Sequence, residues 1–283
     1  MRITKPKPSI DFTLWRTLII GGTPFALNAL FAVFFFRIDT VMLSVLKGDA
    51  AVGIYNAAYN PLLALGGIIS GILVAAIYPV MSRYFISSRD ALETTTILAS
   101  RYMALLGFPI AMGCFVLANR FIDLFYAGQF SASVIAFQIL ALFIPIRLVS
   151  SITGTLLTSI NRQGLRTISV GLSALFNILL NALMIPYLSY IGAGIATVLS
   201  EVFLYFIFLY YIKKYYKRLL LYKHYIKPLI GSSVMGLFVF CFSNLNLFLL
   251  VILASLVYFT MLVLLRAFTE GDRNMFKQAT RRT

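Results

Sequence analysis

Long uninterrupted apolar runs constrain this chain more than any other feature of its sequence. The segments Ala136–Ile146 and Leu245–Leu265 contain no charged residue. A helix needs ~20 mostly apolar residues to cross a bilayer, whereas transmembrane β-strands alternate apolar and polar residues in short segments. The runs therefore predict an all-α integral membrane protein.

Eight apolar segments have a length that suits a membrane-spanning helix. They are 16–46, 52–82, 97–119, 132–160, 167–187, 191–212, 228–243 and 246–266. With 60% of the 283 residues hydrophobic and 12% charged, the chain holds more apolar sequence than a soluble core needs. The first, second and fourth segments are longer than a bilayer requires, so we expect tilts, or kinks at Pro24, Pro61 and Pro145.

The basic residues predict the orientation of these helices, because Lys and Arg accumulate in cytoplasmic loops. With the N-terminus on the cytoplasmic side, 20 of the 24 lysines and arginines fall in cytoplasmic tails and loops. Lys47 and Arg120 then lie in outer loops, and Arg37 and Arg147 lie inside spans. We therefore predict a multi-pass protein of the cytoplasmic (inner) membrane with both termini cytoplasmic. This topology accounts for the net charge of +15, so no nucleic-acid partner is expected.

These segments divide the chain into five parts. They are a cytoplasmic N-terminal tail (1–15), a six-helix lobe (16–212), a basic cytoplasmic loop (213–227), a trailing helix pair (228–266) and a basic cytoplasmic tail (267–283). The basic loop interleaves lysines and arginines with tyrosines, a composition that suits anionic headgroups. Membrane lipids are therefore expected contacts.

The polar residues include no pattern typical of an enzyme or a metal site. Cys114 and Cys241 lie far apart in apolar runs, and the single histidine, His224, lies in the basic loop. A phosphate-binding GxxxxGK[ST] motif is also missing from the sequence. We therefore expect no metal, no cofactor, no histidine-based catalysis and no ATP-driven pump.

Four charged residues lie inside predicted spans, where a charge on a lone helix costs ~3 to more than 10 kcal/mol and usually faces a cavity or a partner. Arg147 lies roughly 22 Å and Glu201 roughly 15 Å from the same membrane face, at 1.5 Å per residue. They are predicted either to form a structural ion pair or to leave Arg147 facing an anionic substrate. Arg37 and Asp39 either reach the interface and pair with another helix, or lie at the mouth of a cavity.

Two further patterns concern helix packing. Asn177 and Asn181 are spaced i, i+4 and share one helix face, where hydrogen bonds between helices are the expected role and a place at the substrate cavity is the alternative. Gly67 and Gly71 form a GxxxG pair, which predicts close packing against another helix.

Three stretches resemble a known family of transporters. They are RIDTVMLSVLKGDAAVGIYNAAY (37–59), IYPVMSRYF (77–85) and LFNILLNALMIPYLSYIGAGIATVLSE (175–201). Their order and spacing are similar to the C-terminal lobe of oligosaccharide-lipid flippases in the multidrug/oligosaccharidyl-lipid/polysaccharide exporter superfamily. The resemblance covers about residues 12 to 269 and implies a six-helix exporter lobe followed by two further helices.

The resemblance implies a transporter that moves an undecaprenyl-pyrophosphate-linked oligosaccharide to the outer leaflet, for O-antigen of lipopolysaccharide, capsule or related glycans. In that family two lobes rock around a cationic cavity, so Arg147 and Arg37 would face the pyrophosphate or an acidic sugar. This chain matches one lobe only. The resemblance therefore implies a fragment, a degenerate gene product, or a half-transporter that pairs with a second lobe from itself or another chain.

Three other functions stay open at this point. A cation-coupled multidrug-type antiporter of the same superfamily needs acidic cavity residues, for which Asp39 and Glu201 are available. A membrane-embedded polyprenyl-phosphate glycan enzyme needs clustered carboxylates, histidines or a large soluble loop, and the sequence offers none of these. A structural assembly subunit needs no site at all.

Overall fold

The regular structure of the chain is helical throughout the part that the computed structural model describes, residues 11–217 and 219–267. Its helices are α1 (Phe12–Lys47), α2 (Asp49–Ser87), α3 (Arg89–Val116), α4 (Ala118–Tyr126), α5 (Ser133–Ala141), α6 (Phe143–Ser159), α7 (Gln163–Tyr215), a 3₁₀ turn (Leu221–His224), α8 (Ile226–Cys241) and α9 (Leu247–Leu264). The predicted all-α class is confirmed. The predicted tails lie outside the described residues, apart from 11–15 and 267.

Within the described residues, seven helical segments are long and apolar enough to cross a membrane. Helices α5 and α6 together form one of them, and α7 contains both the fifth and the sixth predicted spans. Counting the two parts of α7 separately gives the eight passes that the sequence predicts. The short helix α4 is not predicted, because its nine residues are too few to span a bilayer.

Helix α7 is a hairpin of two antiparallel arms, 163–188 and 190–215. Ser189 has φ 50° and ψ −132°, which breaks the helix. The rings of Phe176 and Phe203 lie 4.5 Å apart, although a straight helix would separate them by ~40 Å. A Cβ atom at Gly192 would lie 2.7 Å from the carbonyl oxygen of Met184. Glycine at 192 therefore allows the two arms to meet directly after the bend.

The prolines act differently from one helix to another. Pro24 and Pro61 lie inside the continuous helices α1 and α2. Pro145 has no N–H group to donate to the carbonyl of Ala141, and α5 ends at Ala141. The expected irregularity at Pro145 is therefore a break between α5 and α6.

The trailing helices pack on α3, with α8 against α3 and α9 against α8. The Tyr258 hydroxyl of α9 donates to the carbonyl of Leu105 at 2.8 Å. On α8, a Cβ atom at Gly236 would lie 2.5 Å from Cγ of Met112. These two contacts hold α8 and α9 closely against the third helix.

Polar contacts identify the two ends of the bundle. The Lys47 ammonium at the end of α1 donates to the carbonyl of Pro186, 2.8 Å away, so α1 ends beside the bend of α7. At the far end of α7, Lys217 donates to Glu93 at 2.7 Å, and this hydrogen bond raises the pKa of the lysine. The predicted topology assigns the first end to the outside and the second to the cytoplasm.

Single cysteines test this orientation. In a Cys241→Ser background, Lys47→Cys should react with a membrane-impermeant maleimide in intact cells, and Lys217→Cys should react only after permeabilisation. Cys241 is replaced because it is exposed, while Cys114 is buried. Labelling of Lys217→Cys but not Lys47→Cys in intact cells would reverse the predicted topology.

Candidate functional site

Asp39 lies in a buried hydrogen-bond network that joins three helices. Its side chain is fully buried, and it accepts hydrogen bonds from the Tyr55 hydroxyl of α2 and, at 3.1 Å, from the Thr197 hydroxyl of α7. The two hydroxyls are themselves 3.0 Å apart. Asp39 is therefore enclosed within the lobe, where neutral hydroxyl groups satisfy its carboxylate.

Arg37 lies two residues from Asp39 but is exposed. Because a helix turns every 3.6 residues, this spacing places the two side chains on different faces of α1. The structure therefore does not bring Arg37 and Asp39 together in one site.

Arg147 and Glu201 do come together. Nη1 of Arg147 lies 3.8 Å from Oε1 of Glu201, and the side chains are 27% and 0% exposed. The Ser150 hydroxyl donates to the same Oε1 atom, while Oε2 has no hydrogen-bond partner among the described residues. The Arg147 guanidinium also lies over the Phe36 ring, 4.7 Å from its centroid. This geometry provides an ion pair and leaves part of the guanidinium accessible.

The accessible part of Arg147 faces a cavity of about 190 Å³ between α1, α2, α6 and α7. Six polar residues line it: Asn28, Ser70, Arg147, Ser150, Ser151 and Arg166. Of the six residues predicted for the substrate cavity, Arg147 lines this one. Five lie elsewhere in the described chain: Arg37, Asp39, Glu201, Asn177 and Asn181.

Asn177 and Asn181 face the interior of the lobe, and both are fully buried. The Asn181 amide nitrogen donates to Oδ1 of Asn177 at 2.9 Å. The other amide atoms, Nδ2 of Asn177 and Oδ1 of Asn181, have no hydrogen-bond partner among the described residues. The hydrogen bond within the pair therefore uses two of its four amide nitrogen and oxygen atoms. A contact of the pair with substrate remains a prediction.

Sequence reasoning missed Arg166, which the charge count placed in a cytoplasmic loop. The residue lies in the first turn of α7, where its Nη1 donates to the Thr158 hydroxyl at 3.1 Å. Hydropathy ends a span at a charged residue, so it does not distinguish an inward arginine from an exposed one such as Arg162. Asn28 and Ser70 were missed because single polar residues in long apolar helices carry no pattern.

The GxxxG pair of α2 does not form the close helix contact that the sequence predicts. A Cβ atom at Gly67 or Gly71 would meet nothing within 4 Å. Gly71 and its neighbour Ser70 line the cavity instead. Their small side chains leave its volume open.

A second, larger cavity of about 840 Å³ lies beside the trailing helices. Its lining is almost entirely apolar, with Leu65 of α2, Pro109 of α3, Met235 of α8 and Phe259 of α9 among its residues. In a membrane such a space suits an acyl or isoprenoid chain and not a charged group.

Known membrane transporters share the fold of this chain. Residues 3–85 match the family of polysaccharide biosynthesis proteins. Over 197 residues the chain is 24% identical to the probable low-salt glycan biosynthesis flippase Agl15 of Haloferax volcanii, covering 69% of this chain and 41% of that protein. These two similarities agree with the resemblance to the multidrug/oligosaccharidyl-lipid/polysaccharide exporter (MOP) superfamily that the three motifs carry.

Solved structures share the fold at low sequence identity. The inward closed conformation of lipid II flippase MurJ matches with a TM-score of 0.73 and 15% identity, covering 92% of this chain and 57% of that one. A MOP superfamily transporter from Pyrococcus furiosus matches with a TM-score of 0.59 and 16% identity, covering 76% and 51%. A multidrug resistance MATE family transporter gives 0.59 and 17%, with the same coverage. The chain thus spans about half the length of these proteins.

The Asp39 network predicts a measurable loss of stability. Tyr55→Phe removes a donor from a buried carboxylate, so it should destabilise the protein by about 1.5–3 kcal/mol. Tyr187→Phe is the matched control, because Tyr187 is 84% exposed, and it should stay within ~0.5 kcal/mol of wild type. Denaturant unfolding of the purified protein in detergent measures both. Equal stabilities of the two variants would contradict the network.

Proposed function

We propose that this chain is one lobe, with its trailing helix pair, of a flippase for surface polysaccharide biosynthesis. It moves a polyprenyl-pyrophosphate-linked oligosaccharide across the cytoplasmic membrane and works with a second lobe, from another copy or another chain. Both termini are cytoplasmic in this proposal, and the chain catalyses no covalent step. O-antigen of lipopolysaccharide is one glycan of the class it would carry.

The observation that carries this proposal is the guanidinium of Arg147 in the cavity. Its distance of 3.8 Å from Glu201 is long for a direct hydrogen bond, so its donors are not consumed by that pair. Arginine offers a planar fork that binds phosphate oxygens bidentately. An incoming pyrophosphate would therefore find a partly accessible cation inside the lobe.

The apolar cavity supports a lipid-linked substrate. A polyprenyl chain needs an apolar surface, which the 840 Å³ space beside α8 and α9 provides. The charged group of the same molecule needs cations, which line the smaller cavity. Separate apolar and cationic spaces are what an amphipathic substrate requires. The flippase name of the Haloferax volcanii relative and the polysaccharide biosynthesis family agree with this substrate class.

A cation-coupled antiporter is the second candidate, favoured by the buried carboxylate of Asp39 and by the fold shared with the MATE transporter. The described lining of the small cavity contains Arg147 and Arg166 but no carboxylate. Two guanidinium groups repel a cationic drug and attract an anion. The charge of the cavity therefore favours the flippase.

Replacement of Arg147 tests the flippase proposal. Arg147→Gln should reduce surface glycan at least tenfold while the membrane level of the protein stays near normal, because it removes a cation that the substrate needs. The control is Arg83→Gln, which alters an exposed arginine of α2 and should leave surface glycan unchanged. Surface glycan and protein level are measured in the same cells.

The Glu201 partner distinguishes this role from a structural one. Removing one partner of a buried ion pair leaves an uncompensated charge that typically costs 3–5 kcal/mol. If Arg147→Gln depletes the protein and Arg147→Gln/Glu201→Gln restores both its level and surface glycan, the ion pair is structural and the substrate role is wrong.

The second lobe gives another prediction. Alternating access in repeat-built transporters comes from one repeat rocking against another, and this chain supplies a single lobe. Purified chain in liposomes with a fluorescent lipid-linked oligosaccharide should therefore show no transport as a monomer. Mass determination in detergent defines the species. Transport by a species of 31.6 kDa would contradict the need for a partner.

A further inference from the structure

Arg120 of α4 joins the lobe to the turn between α8 and α9. Its Nη1 donates to the carbonyl of Leu245 at 2.6 Å, and its Nη2 donates to the carbonyl of Ser243. Both acceptors lie between Cys241, where α8 ends, and Leu247, where α9 begins. Since one planar guanidinium holds two separate carbonyls, this contact fixes the position of the turn against α4.

The Arg120 contact lies at one end of the large apolar cavity. Residues from Tyr102 to Leu117 line the cavity along α3, a rise of ~22 Å at 1.5 Å per residue. Phe121 of α4, next to Arg120, and Val251 of α9, one helical turn after α9 begins, line the same end. Because α3 begins at the predicted cytoplasmic end of the bundle, the Arg120 end is the outer one.

The length of this cavity exceeds the depth of one leaflet. The hydrocarbon core of a bilayer is ~30 Å thick, so each leaflet contributes ~15 Å. A chain confined to the cytoplasmic leaflet therefore fills only part of a cavity that extends ~22 Å along α3. A longer chain that enters from the cytoplasmic leaflet reaches the outer end, where α4 meets the α8–α9 turn.

The turn itself has limited packing against the lobe. Residues 241–244 are exposed, and Leu245 and Leu247 are half-buried against the apolar cluster of α3, α8 and α9. Farther from the turn, the Tyr258 hydroxyl holds α9 to the carbonyl of Leu105. Loss of the guanidinium contact should therefore release the turn and the adjacent helix ends, while the inner part of the pair stays on α3.

We propose that Arg120 is a positioning residue that makes the apolar cavity selective for long polyprenyl chains over short ones. By holding the α8–α9 turn on α4, it keeps the walls of the outer end packed around a chain that extends past one leaflet. A short chain ends before this region and is insensitive to it. The inference rests on the proposed function, in which the cavity holds the polyprenyl chain, and adds the residue that determines which chain lengths bind.

Two lipids with the same headgroup test this role. Undecaprenyl phosphate carries eleven isoprene units and farnesyl phosphate carries three, so a headgroup effect cancels from the ratio of their affinities. Native mass spectrometry of the purified full chain in detergent, with both lipids at equal concentration, measures that ratio. The wild type should bind undecaprenyl phosphate at least tenfold more tightly. Arg120→Gln should reduce the ratio at least fivefold by weakening undecaprenyl phosphate alone, because the farnesyl chain does not reach the turn.

Matched variants control for charge and folding. Arg120→Lys keeps the charge but replaces the planar fork by a point donor, so it should reduce the ratio less than Arg120→Gln does. It decides the case if Arg120→Gln does not fold. Asp123→Asn alters an exposed side chain one turn further along α4 and should leave the ratio unchanged.

A covalent link tests whether attachment of the turn is what matters. In the Cys241→Ser background, where Cys114 is buried, Arg120→Cys/Ser243→Cys should lose the preference for the long chain. A short bis-maleimide that joins the two cysteines should restore it. Failure of the link to restore the preference would contradict positioning of the turn.

Substitutions along the cavity locate the chain. Val251 near the outer end and Leu106 nearer the cytoplasmic end both line the cavity and are 43% and 48% exposed, so each has room for a larger side chain. Val251→Phe should weaken undecaprenyl phosphate only, whereas Leu106→Phe should weaken both lipids.

Three outcomes overturn the proposal: a wild type without preference for the long chain, an unchanged ratio in folded Arg120→Gln, or equal weakening of both lipids, which a merely structural role would give. The flippase proposal fails separately. A chain that shows the Arg120-dependent preference but supports no glycan transport with any second lobe would retain the positioning role and remove the flippase.

Discussion

The arrangement of this protein depends on the high free energy of placing a polar group in hydrocarbon. Backbone groups satisfy this constraint by forming helices, and polar side chains satisfy it by facing the inside of the lobe. Asp39, Asn177, Asn181 and Glu201 are all fully buried, while many large apolar side chains are exposed. Buried polar side chains therefore lie within a mostly apolar core, while the exposed surface is rich in large apolar side chains.

Much of this arrangement follows from sequence, because the depth of a residue in a membrane can be counted from its position along a span. Residue number along a span gives depth at 1.5 Å per residue, so Arg147 and Glu201 are placed within reach of one another before the structure is known. The bend of α7 is predicted as a loop between two spans. Prediction fails for Arg166, because hydropathy marks where a helix leaves the apolar region but not which way a terminal arginine points.

The two buried acidic residues of the lobe have different surroundings, which sequence alone does not distinguish. Asp39 receives hydrogen bonds from two hydroxyl groups on other helices and joins α1, α2 and α7. Glu201 leaves one oxygen without a partner among the described residues and faces a cationic side chain. Asp39 thus links three helices, while Glu201 keeps one carboxylate oxygen without a hydrogen-bond partner among the described residues.

The trailing helix pair and the cationic cavity involve different helices of the bundle. The trailing pair packs on α3 through contacts such as Tyr258 with Leu105, whereas α1, α2, α6 and α7 form the cationic cavity. Of these four helices, α1 and α2 have apolar windows that are only 17% and 11% buried, the least covered among the spans of the described chain. A second lobe placed against α1 and α2 would enclose the cavity without displacing the α8–α9 pair from α3. Closure by a partner is therefore compatible with a trailing pair that stays packed on α3.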